Sequence, residues 1–481
     1  MRLIFMESQI GKFMVKIAVI GAGSKGFTKK LVTDCLAFPA LRENTTFSFM
    51  DINEPRLKWL LKYFTKYKEE NLDKLENVNF EITKNQREAI KDAKYVISCF
   101  MVGGWEAYMN DIDIPYKYNV SQCIGDTLGP GGVFRFLRSV PVYQEIIKNM
   151  KEVGYNSNVK ENRVKPLLLN YTNPMAMNTW YCNSLWPDST VGLCHGVQGT
   201  SNMLKWWVGA TPDEFSFLCA GINHMAWFLE LRFKDFQKED PQWEDAYPII
   251  WEHYEEEPEL IGSEKLRFDM MKATGYFMTE SSGHLSEYLP YYRKRQDLLE
   301  KYNGVPDDPE SLAHNTLKHG VDQKSFERDS KKYDEKAEES EEIGDVYFKN
   351  TPSKEYASNI INAMETDDPF KFNGNIINKG QGLITNLPRD CCVEVPVTAD
   401  FHGLHPQGGI ELPPQCAALC TSNVYVQKCA VEGALAKDKE KIYHAVLLDP
   451  NTASVCSPEE IRDMVDEMFE ANQKWLKWWN E

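Results

Sequence analysis

The chain has 481 residues, of which 42% are hydrophobic and 26% charged, an ordinary composition for a globular protein of two or three domains. Its net charge of −17 argues against a nucleic-acid or anionic-membrane partner, since both need a basic face. No apolar run approaches the ~20 residues of a membrane span. The 12 cysteines form no regular framework and we recognise no leader sequence, so we expect reduced thiols and a cytoplasmic protein.

The first convincing element is a strand over residues 15–20 (VKIAVI), and we interpret residues 1–13 as a dispensable extension. The strand runs into GAGSKG, in which Gly21, Gly23 and Gly26 have the G-x-G-x-x-G spacing. Such glycines let the backbone turn tightly and approach a pyrophosphate at the N-terminus of the following helix. By itself the motif is weak, because a plain turn between a strand and a helix reads the same way.

The next strand strengthens the interpretation of this loop. A helical pattern at residues 27–36 leads to a second strand at 46–50, which ends at Asp51. An acidic residue in that place can accept hydrogen bonds from the ribose hydroxyls of NAD, and it would repel the 2′-phosphate of NADP. The order of these elements therefore predicts an NAD site.

Strands and helices continue to alternate up to about residue 200. Further strands are predicted at residues 79–82, 95–100, 166–169 and 190–193. We predict an α/β fold with a Rossmann-like NAD-binding domain at 14–200 and a mixed α/β (α+β) domain for substrate binding and oligomerisation at 201–481, as in lactate and malate dehydrogenases. Within the second part we expect a charged surface segment at 322–345 and a closing amphipathic helix at 458–479.

A candidate metal pair stands out among the polar residues. Cys194 follows a predicted strand directly, and His224 comes 30 positions later in GINHM. A thiolate and an imidazole without further neighbours of their kind would leave a divalent metal several open positions, which a substrate's hydroxyls can fill. A buried free cysteine and a core histidine are the plainer alternative.

Two more polar residues follow turns or strands at the edge where ligands bind in α/β sheets. Asp126 lies between glycines in GDTLGPGG, and Asn173 lies in NYTNPM after a predicted strand. Asp126 could be a carboxylate in or beside a metal site, and Asn173 could hydrogen-bond sugar hydroxyls. Both types are also common turn residues.

With these motifs in order, the chain resembles glycoside hydrolase family 4, and most closely its α-galactosidase branch, over essentially its whole length from Val15. The matching segments are GAGSKG at 21–26, DT with GPGG at 126–132, NYTNPMAM at 170–177, CH at 194–195, CAGINHM at 219–225, residues 276–288 and CCVEV at 391–395. The resemblance implies a retaining α-glycosidase with NAD and a metal, usually Mn²⁺.

The resemblance also implies a reaction that differs from two-carboxylate hydrolysis. In the family, NAD takes a hydride from C3 of the sugar, a base removes the proton at C2, and the metal stabilises the enediolate. The aglycone leaves from C1 by elimination, water adds, and NADH returns its hydride. The partner is a small α-glycoside, and relatives assemble as homodimers or homotetramers.

Carried over by residue, the resemblance makes Cys194 and His224 the metal ligands. Asn173 becomes a substrate contact beside the cofactor, and His195 contacts the sugar or assists the leaving group. Asp126 is placed near the base.

The base itself lies in the segment 279–288. We predict Tyr288 in this role, with His284 as the second candidate. The reference pKa of tyrosine is ~10, so the metal or a neighbouring charge would have to help it act at neutral pH.

Two departures from the α-galactosidase pattern concern the sugar's C6 group. Gly196 stands where that branch usually has Ser, and Gly283 where it usually has Glu. The lost side chains could admit a bulkier or anionic C6 group, and Arg293 could pair with it. An α-glucuronidase, or another C6-anionic glycosidase such as a sulfoquinovosidase, is therefore the alternative within the family.

Two other classes stay open. An NAD-dependent 2-hydroxy acid dehydrogenase shares the N-terminal fold but should not need Cys194 with His224. A sugar- or NAD-binding protein without turnover would keep the same motifs.

Overall fold

A computed structural model describes residues 14–155, 165–256, 264–302 and 343–481. The predicted extension at 1–13 and all but the last three residues of the charged segment 322–345 lie outside these ranges. Within them, no helix combines the length and the apolar character that a membrane crossing requires.

The first half alternates strands and helices as predicted. The strands are β1 (Val15–Ile20), β2 (Thr45–Met50), β3 (Asn79–Thr83), β4 (Tyr95–Ser98), β5 (Leu167–Asn170) and β6 (Thr190–Gly192). The helices are α1 (Lys25–Ala37), α2 (Glu54–Glu69), α3 (Leu72–Leu75), α4 (Gln86–Ile90), α5 (Gly104–Lys117), α6 (Gly129–Val153), α7 (Met175–Leu185) and α8 (Gly196–Val208).

These six strands are parallel and lie in the order β3-β2-β1-β4-β5-β6. This is the doubly wound order of dinucleotide-binding domains. The inner strands are almost continuously apolar because helices cover both faces, and β4 is buried along its whole length. Local signals begin the helices: the Asn53 side chain accepts from the Arg56 amide at the start of α2.

The second half adds antiparallel strands to the same sheet. They are β7 (Phe215–Ile222), β8 (Met225–Phe233), β9 (Glu244–Asp245), β10 (Phe370–Ile377), β11 (Cys392–Asp400) and β12 (Gly403–Pro406). The helices are α9 (Tyr247–Glu256), α10 (Lys265–Thr274), α11 (Ser282–Leu285), α12 (Gln296–Tyr302), α13 (Tyr356–Thr366), α14 (Pro414–Ala436), α15 (Lys439–Leu447), α16 (Pro450–Ala453) and α17 (Pro458–Ala471).

One sheet therefore runs through the described part of the chain. It continues from β6 as β10-β11-β7-β8-β9, with β12 on β11. The predicted fold class, a Rossmann-like unit followed by a mixed α/β region, is confirmed. The predicted domain boundary between 200 and 201 falls inside α8, so a division there would cut a helix, and the division into domains stays a prediction.

Parallel pairing puts the carboxyl ends of β1, β4, β5 and β6 at one edge of the sheet. The loops that leave this edge carry the glycine motif, Cys99, Asn173 and Cys194. The predicted closing helix at 458–479 ends earlier, at Ala471, where the amide of Asn472 donates back to the Met468 carbonyl.

Candidate active site

The glycine loop after β1 packs closely against its neighbours. Gly21 has φ +89°, and a Cβ there would lie 2.5 Å from the Cys99 carbonyl oxygen, so only glycine fits. The Gly23 amide donates to Oδ2 of Asp51 at 2.8 Å. Apart from its own helix backbone and chain neighbours, no atom of the described residues lies within 4 Å of a Cβ placed on Gly26, in the first turn of α1. Closed on one side and open at a helix N-terminus, the loop fits a dinucleotide phosphate.

Three donor atoms meet near the same edge of the sheet. The ligand atoms of Cys194, His224 and Glu280 all lie within 4.8 Å of one another. Cys194 follows β6, His224 lies in the turn between β7 and β8, and Glu280 precedes α11. The structure thus brings the predicted pair together and adds a carboxylate that the sequence did not single out.

His224 is buried and its two ring nitrogens face different groups. Nδ1 lies 3.3 Å from the Thr127 hydroxyl and 3.4 Å from that of Tyr288, whereas Nε2 lies 3.7 Å from Oε2 of Glu280. Burial lowers the pKa of His224 to about 4, so the ring is neutral at pH 7. A neutral ring that donates through Nδ1 offers the lone pair of Nε2 to a metal.

Cys194 accepts a hydrogen bond from the Gly196 amide at 3.4 Å. Burial, with the charges of Glu280 and Glu394 added, raises the pKa of the Cys194 thiol well above its usual value. A divalent cation beside the sulfur reverses that tendency, because a coordinating thiol is deprotonated outright. Sulfur, imidazole nitrogen and carboxylate oxygen form a donor set that suits a divalent transition metal.

A second polar group lies beside these donors. Nε2 of His284 is 3.4 Å from Oδ1 of Asp126, and its Nδ1 is 3.8 Å from Oε1 of Glu280. The Asn173 amide donates to the other oxygen of Asp126 at 2.9 Å. Asp126, Asn173 and His284, predicted separately, are therefore in one network.

The charge of His284 bears on the prediction of the base. Burial alone would lower its pKa, but the carboxylates of Asp126 and Glu280 at 3.4 and 3.8 Å raise it well above the usual value, which favours a cationic ring. A cationic ring cannot accept a proton, so this charge state speaks against His284 as the base, and its role as the second candidate stays a prediction. It suits stabilisation of negative charge instead.

Tyr288 is buried, with its ring centroid 5.3 Å from that of His284 and 6.2 Å from that of His224. Burial and the charges of Glu287, Asp126 and Glu280 raise the pKa of its hydroxyl well above 10. The phenol is therefore protonated unless a cation lies close by, as a metal held by His224 would. Its role as the base stays a prediction.

Arg293, predicted to face a C6 anion, has partners within the protein, and its contact with substrate stays a prediction. It is buried and donates to the carbonyl oxygen of Ser121 at 2.8 Å, to the Ser121 hydroxyl at 2.7 Å and to the Ser286 hydroxyl at 3.0 Å. Glu287 accepts the backbone amides of Cys123, Ile124 and Gly125. The two charged side chains fasten the segment 282–293 to the loop that carries Asp126, so the guanidinium of Arg293 is engaged within the protein.

His195 lies at the more exposed rim, with 57% of its side chain accessible. Its Nε2 is 2.6 Å from Oε2 of Glu355, a buried carboxylate that also pairs with Lys30 at 2.7 Å. Tyr171 links this rim to the cofactor loop, because its ring lies 6.3 Å from His195 and 5.0 Å from Phe27 of α1. The glycine loop and the metal donors therefore border one region.

The space at Gly196 bears on the expectation for the C6 group. A Cβ on Gly196 would lie 2.8 Å from Oε2 of Glu280. A carboxylate of the protein thus borders the space left by the missing side chain, and the wider pocket for a C6 group stays a prediction.

Comparison with known proteins places the chain in a family. Residues 16–209 match the model of the family 4 glycosyl hydrolases, and residues 219–452 match the model of the C-terminal domain of that family. An α-galactosidase of Rhizobium meliloti (strain 1021) is 39% identical over 467 residues, which are 96% of this chain and 89% of that protein. An α-galactosidase of Bacillus subtilis (strain 168) is 36% identical over 468 residues, with 96% and 99% covered. The chain belongs to family 4 of the glycosyl hydrolases.

A solved structure has the same fold. The 6-phospho-β-glucosidase of Thermotoga maritima, determined with manganese, NAD⁺ and glucose-6-phosphate, superposes with a TM-score of 0.72 at 21% identity. The superposition covers 96% of this chain and 99% of that one.

Proposed function

We propose that this protein is an NAD- and Mn²⁺-dependent retaining α-glycosidase that hydrolyses unphosphorylated α-galactosides. The observation that carries the proposal is the meeting of Cys194 and His224 at the sheet edge that also holds the glycine loop. The two α-galactosidase relatives support the substrate, and the manganese and NAD⁺ of the fold neighbour support the cofactors.

The chain offers a holder for each cofactor. Gly21, Gly23 and Gly26 with Asp51 would hold NAD, and Cys194 with His224 would hold Mn²⁺. When bound, NAD supplies reversible hydride transfer, and the metal supplies Lewis-acid stabilisation of negative charge on sugar oxygens.

The protein's own groups then handle protons and charge. Tyr288 is assigned to the proton at C2 of the sugar, next to the hydroxyl of Thr127 and the ring of His224. The cationic ring of His284 stabilises negative charge that develops on the sugar, and Asp126 with Asn173 fixes that ring in place. His195 lies at the rim of the site, where Glu355 holds its ring, and from there it can contact the sugar or the leaving group.

The surroundings of Arg293 favour a neutral C6 group. The alternative, an α-glucuronidase or sulfoquinovosidase, needs a cation facing an anionic C6 substituent. Because the guanidinium of Arg293 is buried among serine oxygens, and because Glu280 fills the space beside Gly196, the neutral galactoside is preferred. We further propose that the protein is cytoplasmic and assembles as a homodimer or homotetramer.

A direct test compares p-nitrophenyl α-galactoside, α-glucoside and α-glucuronide with a sulfoquinovoside, each with NAD⁺, Mn²⁺ and a thiol reductant. We expect the fastest release from the α-galactoside, loss of release with EDTA and recovery with Mn²⁺. In D₂O the product should carry deuterium at C2, and a product without it would rule out the elimination route. Net NADH formation from 2-hydroxy acids would instead indicate a dehydrogenase, and binding without turnover a sugar-binding protein.

A further inference from the structure

We propose that Glu280 is a third protein ligand of the metal and that Gly196 leaves the space its carboxylate needs. The inference rests on the proposed metal site at Cys194 and His224, and it makes that site a sulfur, nitrogen and oxygen triad.

The distances between the donor atoms suit one ion. Oε2 of Glu280 is 3.7 Å from Nε2 of His224, and no donor pair among the three residues exceeds 4.8 Å. With metal–ligand bonds of about 2.0–2.3 Å, two donors on the same ion lie roughly 3–4.5 Å apart. A small inward movement of the sulfur or the carboxylate is enough to close the triad.

The two oxygens of Glu280 have separate neighbours. Oε1 faces Nδ1 of His284 at 3.8 Å, whereas Oε2 faces His224. A carboxylate that ligates a metal through one oxygen and is oriented through the other is a common arrangement, because the second contact fixes the ligand's direction. The ion pair with His284 therefore accounts for one oxygen and leaves the other for the metal.

The backbone of Glu280 is unusual as well. Its φ of +72° lies in the left-handed region, which a residue with a long side chain rarely adopts. Such conformations persist where the surrounding structure requires them, and they concentrate at ligand-binding positions.

Gly196 provides an independent observation on the other side of the carboxylate. A Cβ built there would lie 2.8 Å from Oε2 of Glu280 and 3.7 Å from the sulfur of Cys194. A side chain at this position would push the carboxylate away from the other two donors. Gly196 also donates its amide to the same sulfur, so one residue serves two of the ligands.

Charge balance points the same way. A thiolate at Cys194, a carboxylate at Glu280 and a neutral ring at His224 sum to two negative charges, which a divalent cation neutralises. Three protein ligands in an octahedral ion leave three positions, enough for two sugar hydroxyls and a water.

The test measures metal binding in the absence of sugar and NAD. EDTA-treated, reduced protein is titrated with Mn²⁺ and the free ion is followed by electron paramagnetic resonance; Co²⁺ absorption reports the coordination number. We expect Glu280→Gln to weaken Mn²⁺ binding at least tenfold and to change the Co²⁺ spectrum. Gly196→Ala should weaken binding in the same direction, and the two changes together should add little to Glu280→Gln alone, since both act on one ligand.

Gly199→Ala is the matched control. Gly199 lies in the same helix, and within the described part of the chain no atom outside that helix's local backbone is within 4 Å of its Cβ position, so this variant should bind Mn²⁺ like the wild type. NAD affinity, measured in every variant, shows that each one is folded. If Glu280→Gln binds Mn²⁺ as tightly as the wild type while Cys194→Ser does not, the third ligand is wrong and the proposed site stands. Equally weak binding by the wild type and Cys194→Ser would overturn both.

Discussion

The cofactor loop and the metal donors, two parts of one sheet edge, are built in different ways. The loop is a contiguous run of backbone at residues 21–26, closed against Asp51 and β4. The donors are side chains from three distant segments, Cys194, His224 and Glu280, with His284 and Asp126 around them. A site made of backbone is encoded locally, whereas a site made of side chains exists only when the tertiary fold brings its members together.

The largest expected effect tests whether the two parts are separable. Cys194→Ser removes the soft ligand, and the loss of several kcal/mol of charge stabilisation should lower the rate of α-galactoside release by ~10³-fold or more. NAD affinity should stay within about twofold, because the sulfur is hydrogen-bonded to the Gly196 amide and the glycine loop follows a different strand, β1. Steady-state kinetics and isothermal titration calorimetry with NAD⁺ check the two halves of this prediction.

If Cys194→Ser also lost NAD affinity, the cofactor loop and the metal donors would not be separable sites. Tyr171 provides a route for such coupling, since its ring lies beside both Phe27 of α1 and His195. A metal-free wild-type sample provides the control, because it lacks the ion but keeps the thiol.

The reciprocal change, in the cofactor loop, is Gly21→Ala, and we expect a smaller effect than that of Cys194→Ser. Its methyl group would meet the Cys99 carbonyl at 2.5 Å, and its φ of +89° is strained for alanine. Strain of this kind costs about 1–3 kcal/mol, so we expect NAD affinity to fall roughly 10- to 100-fold while Mn²⁺ affinity is unchanged.

Gly199→Ala serves as the control for this backbone effect. It is helical with open space around its Cβ position, and alanine there should stabilise the protein slightly, by about 0.5–1 kcal/mol. Equal NAD affinity in Gly21→Ala and the wild type would mean that the loop adapts and that its glycines are not required for the cofactor.

This difference in construction explains what could be predicted from sequence. Spacing and strand order were enough for the NAD loop and for the parallel order of the first six strands. The proximity of Cys194 and His224, the proposed metal pair, was also accessible, because Cys194 stands at a strand end and the family motifs mark it with His224. Glu280 was missed although its neighbours in residues 279–288 were considered, since nothing in a linear pattern says which side chain turns towards a sulfur 86 positions away (280 − 194).

Charged residues were the hardest to place. Arg293 stands in the basic run RKR, which is typical of an exposed or ligand-facing patch, yet it is buried with Ser121 and Ser286. Glu355, which orients His195, follows a polar stretch whose composition is typical of a surface linker. In both cases one partner is more than 150 residues away, Ser121 for Arg293 and His195 for Glu355, so burial and pairing depend on the fold. The position of β10 between β6 and β11 could not be predicted from the sequence either, because these strands are neighbours in the sheet but β6 and β10 are far apart in the chain.

The smallest expected effect concerns the charge of His284 in metal-free protein. Its folded pKa is raised by Asp126 and Glu280, whereas in the unfolded chain it is ~6.5. Below pH ~6.5 both states carry the proton, and this contribution to stability is fully present. As pH rises further the unfolded chain releases its proton first, so the contribution is lost progressively up to the folded pKa.

The free energy of unfolding should therefore fall between pH 6.5 and 8, with up to ~1.4 kcal/mol per pH unit due to His284. Glu394, whose pKa burial raises to about 8, adds a slope of the same sign, but it is present in every variant. In His284→Gln the free energy of unfolding should depend less steeply on pH, by the amount that His284 contributes. Urea unfolding in EDTA at half-unit steps of pH measures this dependence. An unchanged slope would mean that His284 is neutral in the folded protein. It would then be free to accept a proton, and the choice of base between it and Tyr288 would have to be reversed.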